Sequence, residues 1–368
     1  MSAQTGLFKA VTPISPVRSN YTRPIDWLPL PYPAEGTQAL YALVAVFDGI
    51  SNRMAFSAAG AYTVDWGDGS AAEDIATGVT AEHEYTYSSL PSTSYCDRGY
   101  RQAVISVTPQ AGQNLTAFDF QKKHTNGITG YESRNILDVN IRAPNLATLA
   151  VSTTTATRYG MALMERFWMY GTYSSISLQY LFHACRGLLS FSIPSNSSNY
   201  AYMFTSTSVR NISMSFSVNA DLTSVLSGAA FVRIADINIT SISVLTDALA
   251  GMSSLQKATI TAPSCTNVTR LCSGNRYMKS LVGDLSGATT TTDMVKDCSS
   301  LETFLVTGMK TSFNLATTNL NAAAFAAAGA LVADGTGQTV TISAALDGTL
   351  SAGQRAVWTD KNWTVAAV

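Results

Sequence analysis

The sequence predicts a mainly β chain in four parts: an extended arm (residues 1–38), a β-sandwich (39–125), a solenoid of stacked repeats with short helical turns (126–316) and an α/β cap (317–368). Two patterns lead to this prediction. The first half alternates apolar and polar residues between turn signals, and the second half repeats a short apolar phrase about every two dozen residues. The low charged fraction, 13%, is typical of strand-rich modules rather than of a metabolic enzyme.

Residues 1–38 are polar and punctuated by proline, which predicts an extended arm. Dense prolines prevent a helix and favour a polyproline-like path that leaves apolar side chains free to dock. The arm either lies on another protein or straps across its own β-sandwich, because chain termini are often tied down in that way. The candidate docking residues are Pro24, Trp27, Leu28, Leu30 and Tyr32.

Several short segments between residues 39 and 125 have the alternation expected of half-buried strands. The run Gly67-Asp68-Gly69 supplies the positive φ angles that a tight hairpin requires. Trp66 is expected in the core of the sandwich rather than as a sugar-stacking platform. The predicted strands are residues 41–47, 54–57, 62–66, 83–87 and 103–107.

Four carboxylates cluster around this hairpin and raise the question of a bound calcium ion. Their spacing departs from the D-x-[DN]-x-[DN]-G rule of calcium loops, which favours a structural turn. The sequence alone therefore does not decide whether calcium binds near Asp65 and Asp68. The four residues are Asp65, Asp68, Glu73 and Asp74.

The second half repeats a phrase with apolar residues at its first, fourth and sixth positions. A period of about 20–29 residues with this pattern is the signature of a leucine-rich repeat. One unit cannot bury its own apolar face, so units must stack into a solenoid. A parallel β-helix is the rival architecture, but a single strand pattern in each period favours the leucine-rich repeat. The phrase begins at Leu188, Val209, Ile234, Leu255, Met278 and Leu301, and less regularly at Ile136 and Met164.

A second, shorter phrase of apolar and small residues precedes each of these. It predicts a one-turn helix or a tight bend before each strand. The clearest examples are Ala248-Leu249-Ala250-Gly251 and Leu271-Cys272-Ser273-Gly274.

Past Met309 the pattern changes to that of a small α/β unit, which would cover the exposed end of a solenoid. Asn319 and Ser351 are suitable N-caps, and Gly329 and Asn362 are suitable stop signals. The predicted elements are helices over 320–328 and 352–361 and strands over 338–342 and 363–365.

The candidate binding and catalytic residues are few. Trp168, Tyr170 and Tyr173 have two possible roles. They form a surface that binds a glycan or a protein, or they pack the sandwich against the first repeats. No nucleophile, nucleotide or zinc motif is present, so we expect no catalytic residue, cofactor or metal. Glycoside cleavage needs only two carboxylates. The candidates Glu132, Glu165, Asp236 and Asp247 cannot be paired from the sequence.

Charge and cysteine content exclude other classes. The formal net charge is −1, which offers no overall attraction for nucleic acid or anionic lipid. The five cysteines contain no C-x-x-C pair, which favours buried free thiols over zinc or disulfides. No secretory signal is visible, and every apolar run is too short to span a bilayer. We therefore expect synthesis in a cytoplasm without membrane insertion.

Three groups of residues resemble known families. Val64-Asp65-Trp66-Gly67-Asp68-Gly69, followed by His83-Glu84-Tyr85, resembles the PKD-like branch of immunoglobulin-type domains. Met294-Val295-Lys296-Asp297-Cys298-Ser299-Ser300-Leu301 resembles the surface-antigen class of leucine-rich repeats. The arm Asp26-Trp27-Leu28-Pro29-Leu30-Pro31, together with residues 98–104 and 108–115, is similar to bacteriophage virion proteins of this layout.

The resemblance spans nearly the whole chain and implies a non-enzymatic virion component. The first expectation is a tail-fibre or adhesin-type protein, attached by arm and sandwich, whose solenoid binds the host envelope. Its partners would be other virion proteins and a host surface glycan or protein, and it would form homo-oligomers in the particle. One alternative is a capsid decoration, neck or baseplate protein, and another is a glycan depolymerase.

Overall fold

The computed structural model describes residues 21–49, 52–127, 133–152, 161–173, 176–194, 196–216, 219–241 and 244–368. The start of the arm and Glu132 lie outside these residues. Over the described residues the chain is mainly β, as the sequence predicts.

The first part of the chain forms two facing sheets. Phe56, on one sheet, packs against Tyr62 and Trp66 from the other, with ring centroids 6.3 Å and 5.3 Å away. All five predicted strands are present, and three short ones join them. Their bounds are β1 (Ala39–Val46), β2 (Asn52–Ala59), β3 (Tyr62–Asp65), β4 (Glu73–Ile75), β5 (Thr80–Tyr85), β6 (Tyr95–Cys96), β7 (Tyr100–Pro109) and β8 (Ala117–Asp119).

The repeats form the next nine strands, eight of which belong to successive copies of the recurring phrase. The first three of these eight strands pair with one another in parallel, and so do the last five. The chain therefore winds through a stack of coils, with one coil for each copy of the phrase. The strands are β9 (Ile136–Arg142), β10 (Thr148–Ala150), β11 (Arg166–Met169), β12 (Ser190–Ser192), β13 (Asn211–Phe216), β14 (Ile234–Ile239), β15 (Lys257–Thr261), β16 (Ser280–Asp284) and β17 (Thr303–Thr307).

The stack and the facing sheets are joined without a break. The first sheet has the order β12-β11-β9-β1-β7-β3-β4, with β6 on β7, so that β9 of the stack pairs antiparallel with β1. The second sheet has the order β10-β8-β2-β5, and β13 to β17 form a parallel sheet of their own. One apolar core runs through all of them. The boundary predicted between residues 125 and 126 therefore does not separate two cores.

Strand pairing corrects the predicted register of one repeat. Ala235 pairs with Ile212 and Ala258, so the phrase placed at Ile234 is two residues late. Val232 is buried and takes the first apolar position, whereas Ile234 lies on the outer face and is 38% exposed. After this correction the spacing is a uniform 23 residues over the last five repeats, which begin at Val209, Val232, Leu255, Met278 and Leu301.

The shorter phrases fold as tight turns, not helices. The Cys272 N–H donates to the Met294 carbonyl of the next coil, while the Ser273 N–H donates within its own coil to Arg270. Two residues in each turn, four apart, have positive φ, a conformation that normally favours glycine. Bonds between coils hold non-glycine residues there as well. The pairs are Tyr180 and Ala184, Tyr202 and Ser206, Ser224 and Gly228, Asp247 and Gly251, Arg270 and Gly274, and Asp293 and Asp297.

The C-terminal unit has the two helices and the two strands that the sequence predicts, with several changed bounds, and it has in addition a short strand and a short helix that the sequence does not predict. Helix α1 begins after Asn321, whose side chain accepts from the Ala324 N–H at 2.9 Å, rather than after Asn319. Gly329 lies inside this helix instead of ending it. Ser351 caps the last helix as predicted, in a capping box with Gln354. The elements are β18 (Phe313–Asn314), α1 (Ala322–Leu331), β19 (Gln338–Ile342), α2 (Ala344–Asp347), α3 (Ala352–Thr359) and β20 (Trp363–Ala367).

Aromatic side chains from this unit cover the last coil. Phe304 of β17 stacks on Phe313 at 5.5 Å, and Phe313 contacts Trp358 and Trp363. Phe325 of α1 stacks on Trp358 at 4.7 Å. The apolar end of the stack is thereby removed from water. No helix among the described residues is long and apolar enough to cross a bilayer.

The contact between α1 and Trp358 leads to a first prediction. A Cβ added at Gly329 would lie 2.4 Å from Trp358 Nε1, so we expect Gly329→Ala to destabilise the chain by about 1–3 kcal/mol through overpacking. Gly353 in α3 has open space around it, so Gly353→Ala is the matched control, with a gain of up to about 1 kcal/mol. Urea unfolding measures both, and equal effects of the two substitutions would contradict this account.

The five cysteines are buried, as predicted, and this leads to a second prediction. Burial raises the pKa of Cys185 and of Cys298 to about 12, so their thiolate fraction at pH 8 is roughly a thousandfold below that of an ordinary cysteine. We expect an aromatic disulfide reagent to label the native chain at least about 100-fold more slowly than the denatured chain. Rapid labelling of a native thiol would argue against this packing.

Candidate binding surface

The described part of the arm, residues 21–38, crosses the outer face of the first sheet. Trp27 is 3% exposed and, with Leu30, packs on a small apolar cluster separate from the main core. The Trp27 Nε1–H donates to the Tyr100 hydroxyl at 2.9 Å. The arm therefore straps across its own sheet, one of the two paths that the sequence allows. The cluster beneath it comprises Leu43, Ala45, Cys96, Tyr100 and Leu137.

Side chains of the sheet, rather than its backbone, hold the arm. Prolines lack an N–H and cannot add a strand to a sheet, so their free carbonyls need other donors. Asn140 Nδ2 donates to the Pro31 carbonyl at 2.8 Å, and Arg142 Nε donates to the Pro33 carbonyl at 3.1 Å. Gln102 accepts from the backbone of the arm at Leu28 and donates to its carbonyl at Asp26.

A buried carboxylate links the arm to the stack. Asp138 on β9 is fully buried, and its two oxygens accept from Arg23 Nε of the arm at 2.8 Å and from Arg166 Nε of β11 at 2.6 Å. Burial lowers the pKa of Arg166, but the charge and hydrogen bond of Asp138 outweigh it and leave that pKa above its usual value. The Arg166 guanidinium therefore stays charged beside the carboxylate.

The two sets of candidate residues meet at one place. Tyr32 of the arm contacts Tyr170 edge-on at 5.8 Å, and Tyr170 lies 6.0 Å from Trp168. Tyr32 is 68% exposed and the other two are half-buried. We call Tyr32, Trp168 and Tyr170 the aromatic surface. Arg166 lies over the Trp168 ring at 5.1 Å and fixes it from one side.

Tyr173 does not belong to the aromatic surface. It is 1% exposed, and its hydroxyl accepts from the Ala143 N–H inside the core. Burial raises its pKa to about 12. Of the arm residues, Pro24 and Leu28 are half-buried against the sheet, which leaves Tyr32 as the docking candidate that is open to a partner.

The four carboxylates near the hairpin diverge instead of converging on an ion. Asp65 accepts from the Gly67 N–H, Asp68 contacts Ser70 and His83, Glu73 accepts from the Trp66 indole, and Asp74 accepts from Thr63. Each carboxylate thus supports the local turn. Across the residues that the structure describes, no three His, Cys, Asp or Glu side chains gather in a metal-binding group.

The carboxylates considered for glycoside cleavage are engaged separately. Arg98 binds Glu165, and Arg270 binds Asp247 with two hydrogen bonds. Asp236 is half-buried on the outer face of β14. An acid and a base for cleavage must flank one bond. These contacts supply no such arrangement.

Sequence reasoning did not single out Arg23, Asp138 or Asn140. Asp138 and Asn140 alternate with buried Val139 and Ile141, a pattern that normally indicates a face open to water. The alternation was therefore a usable sign that this face is polar. Its cover, an arm more than one hundred residues away in sequence, has no local signal.

Comparisons of this chain with protein-family models, with curated proteins and with solved structures found no match.

The link through Asp138 leads to a third prediction. Asp138→Asn leaves two largely buried guanidinium groups without their counter-charge, so we expect a loss of about 3 kcal/mol in the free energy of unfolding. Asp247→Asn is the matched control, because its partner Arg270 is half-exposed and such exposed pairs contribute little to stability. Urea unfolding of both variants decides the matter, and a similar small loss in each would refute the role given to Asp138.

Proposed function

We propose that this chain is a non-enzymatic component of a bacteriophage particle, of the tail-fibre or adhesin type. In this proposal the two facing sheets are a PKD-like sandwich of the immunoglobulin type, and the coils are a leucine-rich-repeat solenoid with its C-terminal cap. The chain would work beside other virion proteins, in several copies per particle, and bind a glycan or protein of the host envelope.

The observation that carries this proposal is the aromatic surface at the junction of arm, sheets and stack. Aromatic side chains dominate binding interfaces because they bury much area at a low cost in conformational entropy. Here Arg166, which is bound to Asp138, lies over the Trp168 ring and fixes it, so little ordering of that ring is required on binding. A rigid stack behind such a surface suits recognition better than catalysis.

The arm offers a second surface, toward the particle. Ile25 is fully exposed while Trp27, two residues later, is buried, so the arm shows an apolar side chain to the outside as it crosses the sheet. Attachment would then use the combined face of arm and sheet instead of a free peptide. This feature also favours the alternative role, a decoration, neck or baseplate protein whose partners are all virion proteins.

A binding experiment gives the fourth prediction. We expect Tyr32→Ala to weaken binding of the labelled, full-length chain to host cells at least about tenfold, since a central aromatic contact contributes about 2 kcal/mol or more. Tyr95→Ala is the control: Tyr95 is half-exposed on β6, away from the aromatic surface, and its loss should change binding less than about twofold.

Two results would count against the proposal. A wild-type chain that decorates the particle but never binds host cells would favour the alternative structural role. Release of reducing ends from host polysaccharide by the purified chain would instead identify a depolymerase.

A further inference from the structure

One edge of the stack carries a row of basic side chains that the net charge of the chain conceals. Arg210, Arg233 and Lys279 each stand directly before a strand of the parallel sheet, and Lys257 begins the strand between them. Arg276 lies in the turn that leads to Lys279. We call these five residues the basic edge; all of them are exposed.

Backbone hydrogen bonds align the basic edge from coil to coil. The Arg233 N–H donates to the Arg210 carbonyl at 2.6 Å, and the Lys257 N–H donates to the Arg233 carbonyl at 3.2 Å. Lys279 follows one coil later, bonded to Gln256 at 2.8 Å. Neighbouring strands lie about 4.8 Å apart, so the row spans roughly 14 Å over three steps.

None of the five cations of the basic edge forms an ion pair in the described part of the chain, although Glu302 stands one coil beyond Lys279. No ion pair or side-chain hydrogen bond ties any of them to another described residue. On the turn side of the same coils, by contrast, Arg270 is paired with Asp247 and Lys296 with Asp293. The cations on the turn side of the stack are thus paired with carboxylates, whereas those of the basic edge are not.

Exposed apolar side chains are interleaved with these cations. Phe231 is 56% exposed and Tyr277 is 64% exposed, and each stands two residues before a cation of the row. Next to them, the outer face of the sheet presents hydroxyl and amide groups that can bond to sugar hydroxyls. These are Asn211, Ser213, Thr259 and Ser280.

We propose that the basic edge binds an acidic polysaccharide, one that carries a carboxylate or phosphate at regular intervals. Guanidinium groups bind both anions in a bidentate manner, aromatic rings offer flat apolar faces to sugar rings, and several weak contacts along one chain add up through avidity. This inference rests on the proposed function and deepens it by naming the class of host ligand.

The arrangement of the cations in a single row favours a polysaccharide over a nucleic acid as the ligand. Duplex DNA presents phosphates on two strands and requires a broad basic surface. The basic edge is a single row, bounded by Asp236 on β14 and by Glu302 directly before β17. A single flexible polymer chain can follow the row from Arg210 to Lys279, with Glu302 beyond one end and Asp236 to one side.

The test, and the fifth prediction, is binding of polygalacturonate to the full-length chain by calorimetry. We expect binding that weakens with added salt, no binding of neutral dextran, and a loss of at least about tenfold in the double variant Arg233→Glu, Lys279→Glu. The matched control is Lys123→Glu, Lys310→Glu, which changes the net charge equally at exposed sites elsewhere and should bind as the wild type does. Tyr277→Ala tests the aromatic contact without a change of charge and should weaken binding as well.

Each contrary outcome is informative. No binding of polygalacturonate, or equal losses in the two double variants, overturns the basic edge as a site. Duplex DNA that binds as tightly, with the same loss in the Arg233→Glu, Lys279→Glu variant, overturns the assignment to polysaccharide. If the chain binds host cells and this variant binds them equally well, the inference fails while the proposed function stands. Polygalacturonate binding through this edge without host-cell binding would refute the proposed function alone.

Discussion

Each coil of the stack has an apolar face that only a neighbouring coil or a cover can bury, and most of the molecule follows from this requirement. At the N-terminal end, β1 pairs with β9, so the facing sheets serve as the cover for the first coil. At the C-terminal end, α1 and Trp358 close over Phe304 and its neighbours. Neither end unit is an appendage, because each one supplies part of a single continuous core.

The arm answers the same requirement on a different face. Joining the sheets to the stack leaves the outer side of β1, β7 and β9 apolar near Leu43 and Leu137, and the arm buries it with Trp27 and Leu30. A segment that crosses the face of a sheet has no ladder to join, because the backbone groups of the sheet bond to one another within its plane and only side chains project from the face. Side chains such as Asn140 and Gln102 therefore provide the hydrogen bonds, and the buried Asp138 sets the position of the arm relative to the stack. The aromatic surface exists only because this docking brings Tyr32 beside Tyr170.

Local patterns in the sequence predict the longer strands to within a few residues, since strand alternation and turn residues act over short distances, but they miss short strands such as β4 and β8. The errors have identifiable causes. Ile234, Ile237 and Ile239 imitate the repeat phrase more strongly than the true positions Val232, Ala235 and Ile237, because a small Ala fills an inward position. The sequence predicts Gly329 as a helix stop, whereas in the structure it lies inside α1 and its missing Cβ leaves room for the Trp358 indole. Which surface the arm covers depends on contacts over more than one hundred residues, and no local pattern encodes them.

A periodic chain also changes how charge should be read. With a spacing of 23 residues, residues that are distant in sequence become neighbours on strands about 4.8 Å apart. Single cations such as Arg210 and Arg233 therefore form a row with a continuous positive electrostatic potential. The net charge of −1 does not reveal this row, because carboxylates elsewhere on the chain cancel its positive charge in the total. Because exposed pairs such as Arg270 and Asp247 contribute little to stability, the stack can pair or separate charges on its surface without loss of the fold. The fold therefore does not require these cations to be paired, and their position along one edge can serve the binding that we propose for it.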